Sequence, residues 1–169
     1  PAIGLGQEPP EPTVMKRPPR PRDAHLLSWS VLSRAYLFFG MIEAAYSLLL
    51  FFLVLLEGGW RWGQQLAEDD GLYRSATAVT LISVVWMQIG NLVACRSQHT
   101  LRVTRGFFRN RLAVFGVVLE VLFAWAVVRF PPLQMILETA PVAWYWFLLA
   151  SLGALILPIA EWLRRQIAR

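Results

Sequence analysis

The chain holds one cysteine, two histidines and little charge. A single cysteine excludes an internal disulfide framework and any cysteine-rich zinc site. Charged residues make up only 16% of the 169 residues, where a soluble domain carries about 25%. Hydrophobic residues reach 56% and the mean hydropathy is +0.47. That excess excludes a disordered chain, which needs low hydrophobicity, and argues against an ordinary soluble globule. The length suits one domain. No Gly-x-x-x-x-Gly-Lys loop, Gly-x-Ser-x-Gly elbow or His-Glu-x-x-His pair occurs, so no catalytic residue is assigned to this chain. No basic start, apolar core and cleavage site open it as a signal peptide would. The first methionine is Met15, behind a proline-rich run, and the chain reads as a piece of something longer.

The apolar residues fall into four blocks, Ala35–Leu56, Ala76–Cys95, Leu112–Phe130 and Val142–Leu163, each 19 to 22 residues long. A helix of about 20 residues spans about 30 Å, the hydrocarbon thickness of a bilayer. In lipid every backbone N–H and C=O needs an internal partner, so such a run folds as a helix. None of the blocks alternates as a membrane β-strand would. The competing reading, a soluble helical bundle, requires a polar face on each helix, and these are apolar almost all round. The expected fold class is therefore an all-α membrane protein with four transmembrane helices. The expected segments are 1–34, 35–56, 57–75, 76–95, 96–111, 112–130, 131–141, 142–163 and 164–169.

The basic residues are unevenly spread. Segments 1–34, 96–111 and 164–169 hold 13 of the 16 Lys and Arg residues and alternate across the four spans. The positive-inside rule places them, and both chain ends, in the cytoplasm. This explains a pI near 10.1 without nucleic acid, and no nucleic-acid partner is expected. The cell membrane is the expected location and the lipid bilayer the expected partner. Trp29, Trp60, Trp62, Trp144, Tyr145, Trp146 and Trp162 lie at helix ends, where aromatic side chains anchor at the interface. Pro131-Pro132 should stop the third helix, and Pro158 should bend the fourth. Gly40 with Ala44, and Gly90 with Ala94, are small residues four apart that would let helices approach closely. Seven of the 11 prolines fall in residues 1–24, which excludes a regular helix over most of that stretch.

Ionisable residues within a membrane span are costly, and so are functional candidates. Glu43 lies in the first span and Glu120 in the third. In the second, Thr77, Thr80, Gln88 and Asn91 share a stripe, with Gln88 and Asn91 three apart on one face. Carboxylate, amide and hydroxyl oxygens are the ligands of hard cations. The candidate cation-binding set is Glu43, Gln88, Asn91 and Glu120, and Gln88 alone is a weak candidate metal ligand. Interhelical hydrogen bonding that only holds the bundle together is the alternative. His25 and His99 have no partner ligands at useful spacing. Cys95 is expected to be a small buried hydrophobe.

Several strings carry a resemblance. Pro1-Ala2-Ile3-Gly4-Leu5-Gly6-Gln7-Glu8-Pro9-Pro10-Glu11-Pro12 followed by Met15-Lys16-Arg17-Pro18-Pro19-Arg20, then Gln88-Ile89-Gly90-Asn91, Pro131-Pro132-Leu133-Gln134, Thr139-Ala140-Pro141 and Glu161-Trp162-Leu163-Arg164-Arg165 span the chain. They resemble the C-terminal membrane region of a type II P-type cation-transporting ATPase. The resemblance implies that the four spans are the seventh to tenth helices of a ten-helix pump, and that residues 1–24 form the loop before the seventh. It implies that Gln88 sits where the eighth helix lends a side-chain oxygen to the cation site. Glu43 and Glu120 fall where some subfamilies carry polar or acidic residues. The phosphorylated Asp of Asp-Lys-Thr-Gly-Thr is absent. The parent pump would use ATP and Mg²⁺, with no cofactor in this chain, and would supply the remaining domains and the transported cation as partners. The rival function is a stand-alone four-helix membrane protein that binds or regulates a transporter.

Overall fold

The computed structural model describes residues 27–95 and 110–167, together with Gly6, Met15 and Pro19. The rest of the loop 1–24, with its cations Lys16, Arg17, Arg20 and Arg22, both histidines and most of the basic loop 96–111 lie outside the described residues. Among the described residues there are helices and no strands. Helix α1 spans Trp29–Glu57, α2 Gly71–Cys95 and α3 Arg111–Arg129, with a short α4 at Pro131–Ile136 and a long α5 over Trp144–Ile167. All but α4 are long and apolar enough to cross a membrane.

Local chemistry sets the helix ends. Asn110 caps α3, its side-chain oxygen accepting from the Ala113 N–H at 3.0 Å, which satisfies one of the orphan donors of the first turn. Pro131 and Pro132 then deprive the last turn of α3 of two donors. The carbonyls of Val127 and Val128 would bond N–H groups four residues on, and both those residues are prolines. The Gln134 amide donates instead to the Val128 carbonyl at 2.7 Å, and the Thr139 hydroxyl lies 3.5 Å from that of Val127. The two prolines also open α4, where a missing N–H costs nothing. The expected stop is thus also a start.

Helix α2 is the centre. It packs on α1, α3 and α5, and 50% of its most apolar window is buried against 22% for α3. One core joins Leu50 and Val54 of α1, Val79 and Ile82 of α2, Val127 of α3, and Trp146 and Ala150 of α5. A second gathers Phe39, Met87, Ala94 and Leu157 towards the other end. Small residues permit the closest crossings. A Cβ added at Gly90 would stand 2.8 Å from the Ala154 carbonyl oxygen of α5. That carbonyl has lost its own helical partner, because residue 158 is proline. A Cβ at Gly153 would meet Met87 Cγ at 2.7 Å. Gly40 differs from Gly90, since the nearest atom there belongs to its own helix, the Ala35 carbonyl at 3.5 Å, and Ala44 is exposed. Among the described residues the expected close approach at Gly40 and Ala44 is not made.

Two long helices are irregular. Residues Arg34–Gly40 of α1 are wound as a π-helix. In α5 the α-helical pattern is interrupted at Leu152, six residues before Pro158. Leu152 N–H is shared between the Leu148 and Leu149 carbonyls at 3.3 and 3.1 Å, and the Tyr46 hydroxyl of α1 donates to the Leu149 carbonyl. The break falls where Gly153 presses on Met87, and Pro158 lies within the helical segment that follows.

Candidate intramembrane polar site

Of the four candidate residues, two meet. Glu43 sits early in the α-helical part of α1 and Gln88 lies two-thirds along α2. Gln88 Nε2 donates to Glu43 Oε1 at 3.0 Å. The bond fixes which end of the amide faces the carboxylate. Gln88 Oε1 is then left as an acceptor. Glu43 is half-buried and Gln88 exposed on the surface of these helices. Both side chains carry oxygens of the kind hard cations prefer.

The other two candidates stand apart from this pair. Asn91 is half-buried, and its side-chain oxygen accepts from the Cys95 thiol at 3.1 Å. Cys95 is exposed rather than buried. The thiol points along its own helix to Asn91, one turn back, which accounts for the departure from expectation. Glu120 lies midway along α3 with one carboxylate oxygen, Oε2, buried without a hydrogen-bond partner. The threonines of the expected stripe turn inward on their own helix: Thr77 donates to the Tyr73 carbonyl at 3.0 Å and Thr80 to that of Ala76 at 2.9 Å. They satisfy backbone rather than lining a path. Ser83, one turn on from Thr80, does reach across. It is fully buried, with its oxygen 3.0 Å from the Ser47 hydroxyl of α1 and 2.7 Å from the Thr80 carbonyl. Among the described residues no group of three or more His, Cys, Asp or Glu gathers as metal-ion ligands.

Two further carboxylates organise the helix ends. Glu161 of α5 is completely buried. It receives Arg34 Nη2 of α1 at 3.0 Å, Arg164 through Nε and Nη2 at 2.9 Å each, and Arg165 Nε at 2.7 Å. Arg165 also reaches the Ala94 carbonyl of α2 at 3.4 Å, and the Arg34 guanidinium stands 5.3 Å from the centre of the Phe39 ring. One buried carboxylate thereby joins three helices. At the opposite end Glu57 accepts from the Tyr145 hydroxyl and, at 2.8 Å, from Trp146 Nε1. Trp146 is therefore buried in the bundle, unlike the exposed Trp29, Trp62, Trp144 and Trp162. It departs from the expected interfacial role because its indole N–H has an internal carboxylate to satisfy it. The spacing of Glu161 with Arg164 and Arg165, three and four residues on, is a sequence signal for the helix-internal part of its cluster. Nothing local signals Arg34 or the Glu57 partners.

Comparison with known proteins is consistent along the whole chain. The family model described as "Cation transporting ATPase, C-terminus" matches residues 1–166. The chain is 26% identical to the sodium/potassium-transporting ATPase subunit alpha-4 of Rattus norvegicus, in an alignment covering 100% of this chain and 19% of that protein. It is 31% identical to the calcium-transporting ATPase type 2C member 2 of the same species, covering 82% of this chain and 14% of that one. It is 30% identical to the probable cation-transporting ATPase F of Mycobacterium bovis, covering 83% and 15%. The chain thus spans less than a fifth of the length of these relatives.

Proposed function

The chain belongs to the C-terminal family of the cation-transporting ATPases, and from that premise we propose that it serves as the supporting membrane bundle of an ATP-driven cation pump, in which Gln88 and Glu43 lend oxygens to the transported cation. The observation that carries the reading is the 3.0 Å bond from the Gln88 amide to Glu43. It brings together two oxygen-bearing side chains from two helices, one of them, Gln88, exposed on these helices. A neutral amide paired with one carboxylate provides less charge than two carboxylates would, which favours fewer or less highly charged cations at this position.

Hydrolysis belongs to the parts of the parent protein outside this chain, which would bind ATP and Mg²⁺. These helices move little against one another in this reading. Glu161 and Glu57 hold α1 to α5 at its two ends, and Gly90 seats α5 on α2. The basic segments face the cytoplasm and the protein lies in the cell membrane. Asn91 and Glu120 take part as second-rank candidates, Glu120 through its unpartnered oxygen.

The test is ATPase activity of the full-length parent in liposomes, across Na⁺, K⁺, Ca²⁺, Mg²⁺ and pH. Stimulation by one cation, with the half-saturating concentration raised in Gln88→Ala, is the expected result. Stimulation with that concentration unchanged in both Gln88→Ala and Glu43→Gln would remove the pair from the cation site.

A further inference from the structure

The connection between α3 and α5 carries its side chains the wrong way round for a loop in water. Leu133 and Leu137 pack on the core, and the Gln134 amide is turned inward to the Val128 carbonyl. The outward face is made of Phe130, Pro131, Pro132, Met135 and Ile136, without a polar side chain. Met135 is 81% exposed and Ile136 76%. A helix that meets water on its outer side places polar groups there. The backbone of α4 is equally independent of water. A helix start leaves four N–H groups without helical partners. Here the Phe130 N–H donates to the Ala126 carbonyl at 2.8 Å, Pro131 and Pro132 have no N–H, and that of Leu133 donates to the Phe130 carbonyl at 3.1 Å. At the other end Glu138 takes a φ of 51°, and the Thr139 N–H donates back to the Gln134 carbonyl at 3.0 Å, which closes the helix in the manner of a Schellman cap.

We propose that α4 is an interfacial anchor, a short helix that lies on the bilayer surface with Phe130, Met135 and Ile136 inserted where headgroups meet acyl chains. Its depth is marked by its neighbours. Trp125 and Arg129 at the end of α3 and Trp144 at the start of α5 line one groove, and all three are exposed. Tryptophans so placed sit at headgroup level, and α4 begins two residues after Arg129. The patch also continues the exposed apolar surface that α3 presents at Leu122 and Phe123. A helix start with every N–H satisfied or absent suits a medium that offers no hydrogen bonds. An apolar outward face of this kind marks a membrane contact rather than a solvated loop. The contact is with the bilayer as a surface and needs no particular headgroup. It is independent of the cation site.

Nitroxide spin labels at Met135→Cys and Ile136→Cys test it, one at a time, in the full-length protein freed of its native cysteines, Cys95 included, and reconstituted into palmitoyl-oleoyl phosphatidylcholine vesicles. Both side chains lie on the surface, so neither label has to be packed and the fold is not at stake. Oxygen, which concentrates in lipid, should relax both labels severalfold more than a water-soluble nickel chelate does. A label at Glu68→Cys, in the exposed connection between α1 and α2, should show the reverse and calibrates the comparison. Stronger relaxation by nickel than by oxygen at either 135 or 136 would make the segment a solvated loop and overturn the proposal. Labels immobilised and shielded from both reagents would put protein on this face, from the rest of the parent or from a partner, and would overturn it equally.

Discussion

Of the three carboxylates that tie α1 to its neighbours among the described residues, the bundle treats Glu161 and Glu43 most differently. Glu161 is wholly buried and wrapped by Arg34, Arg164 and Arg165. Glu43 is half-buried and, among the described residues, tied to the neutral amide of Gln88. A carboxylate whose lone pairs are filled by guanidiniums has nothing left for a ligand, and its work is to hold helices in register. A carboxylate that gives one oxygen to an amide still has, among the described residues, an oxygen available. On the proposed reading of Glu43, polar content alone does not separate structural from ligand-binding carboxylates in a membrane, whereas the partner does.

The sharpest way to break the contrast is to neutralise the saturated carboxylate. Glu161→Gln leaves three guanidiniums around a group that no longer balances them. Removing one partner of a buried ion pair costs about 3–5 kcal/mol, so thermal unfolding of the full-length protein in detergent should show its largest loss here. An unfolding midpoint within error of the unaltered protein would mean that the cluster is a solvated surface feature. Next in size is the α2–α5 contact. Gly90→Val sets a side chain against a backbone carbonyl 2.8 Å away, and overpacking of this kind costs about 1–3 kcal/mol. Gly40→Ala is its counterpart and should have the opposite sign, a gain of about 0.5–1 kcal/mol, since among the described residues only its own helix lies near. Equal effects at the two glycines, measured by the same unfolding, would remove the distinction between them. The smallest effect belongs to the Ser83–Ser47 link. Ser83→Ala should cost about 0.6 kcal/mol, the average for interhelical hydrogen bonds in a membrane bundle, and leave cation response unchanged.

Much of this architecture is legible in the residues. The lengths of the apolar blocks imply four spans because lipid leaves the backbone no other arrangement. Gly90 and Ala94 announce a close helix contact by their size, and the structure makes it against Ala154. The same spacing at Gly40 and Ala44 meets no neighbouring helix among the described residues, because a small residue permits an approach without supplying the partner. Helix α2 begins at Gly71, five residues ahead of its apolar block. Asp70 makes this possible, its side chain accepting from the Leu72 N–H at 2.7 Å, so the polar first turn is capped rather than frayed. Within the candidate site, polarity singled out Glu43 and Gln88 separately, but their pairing across 45 residues is a product of packing. Arg34 and Glu161 are 127 residues apart, and the π-helical turn that carries Arg34 has no signature in hydrophobic periodicity. Glu57 with Trp146 is of the same kind, a contact 89 residues apart.

The measurement to make first is a double-mutant cycle on cation dependence in the full-length protein. Half-saturating cation concentration for ATPase activity would be compared in the unaltered protein, Glu43→Gln, Gln88→Ala and the double variant. If the pair lends oxygens as one unit, each single change should raise that concentration about tenfold, and the double variant should fall well short of the hundredfold expected of independent sites. Unchanged concentrations in all three variants, with activity and folding retained, would contradict it and leave the Gln88–Glu43 bond as helix-to-helix attachment alone.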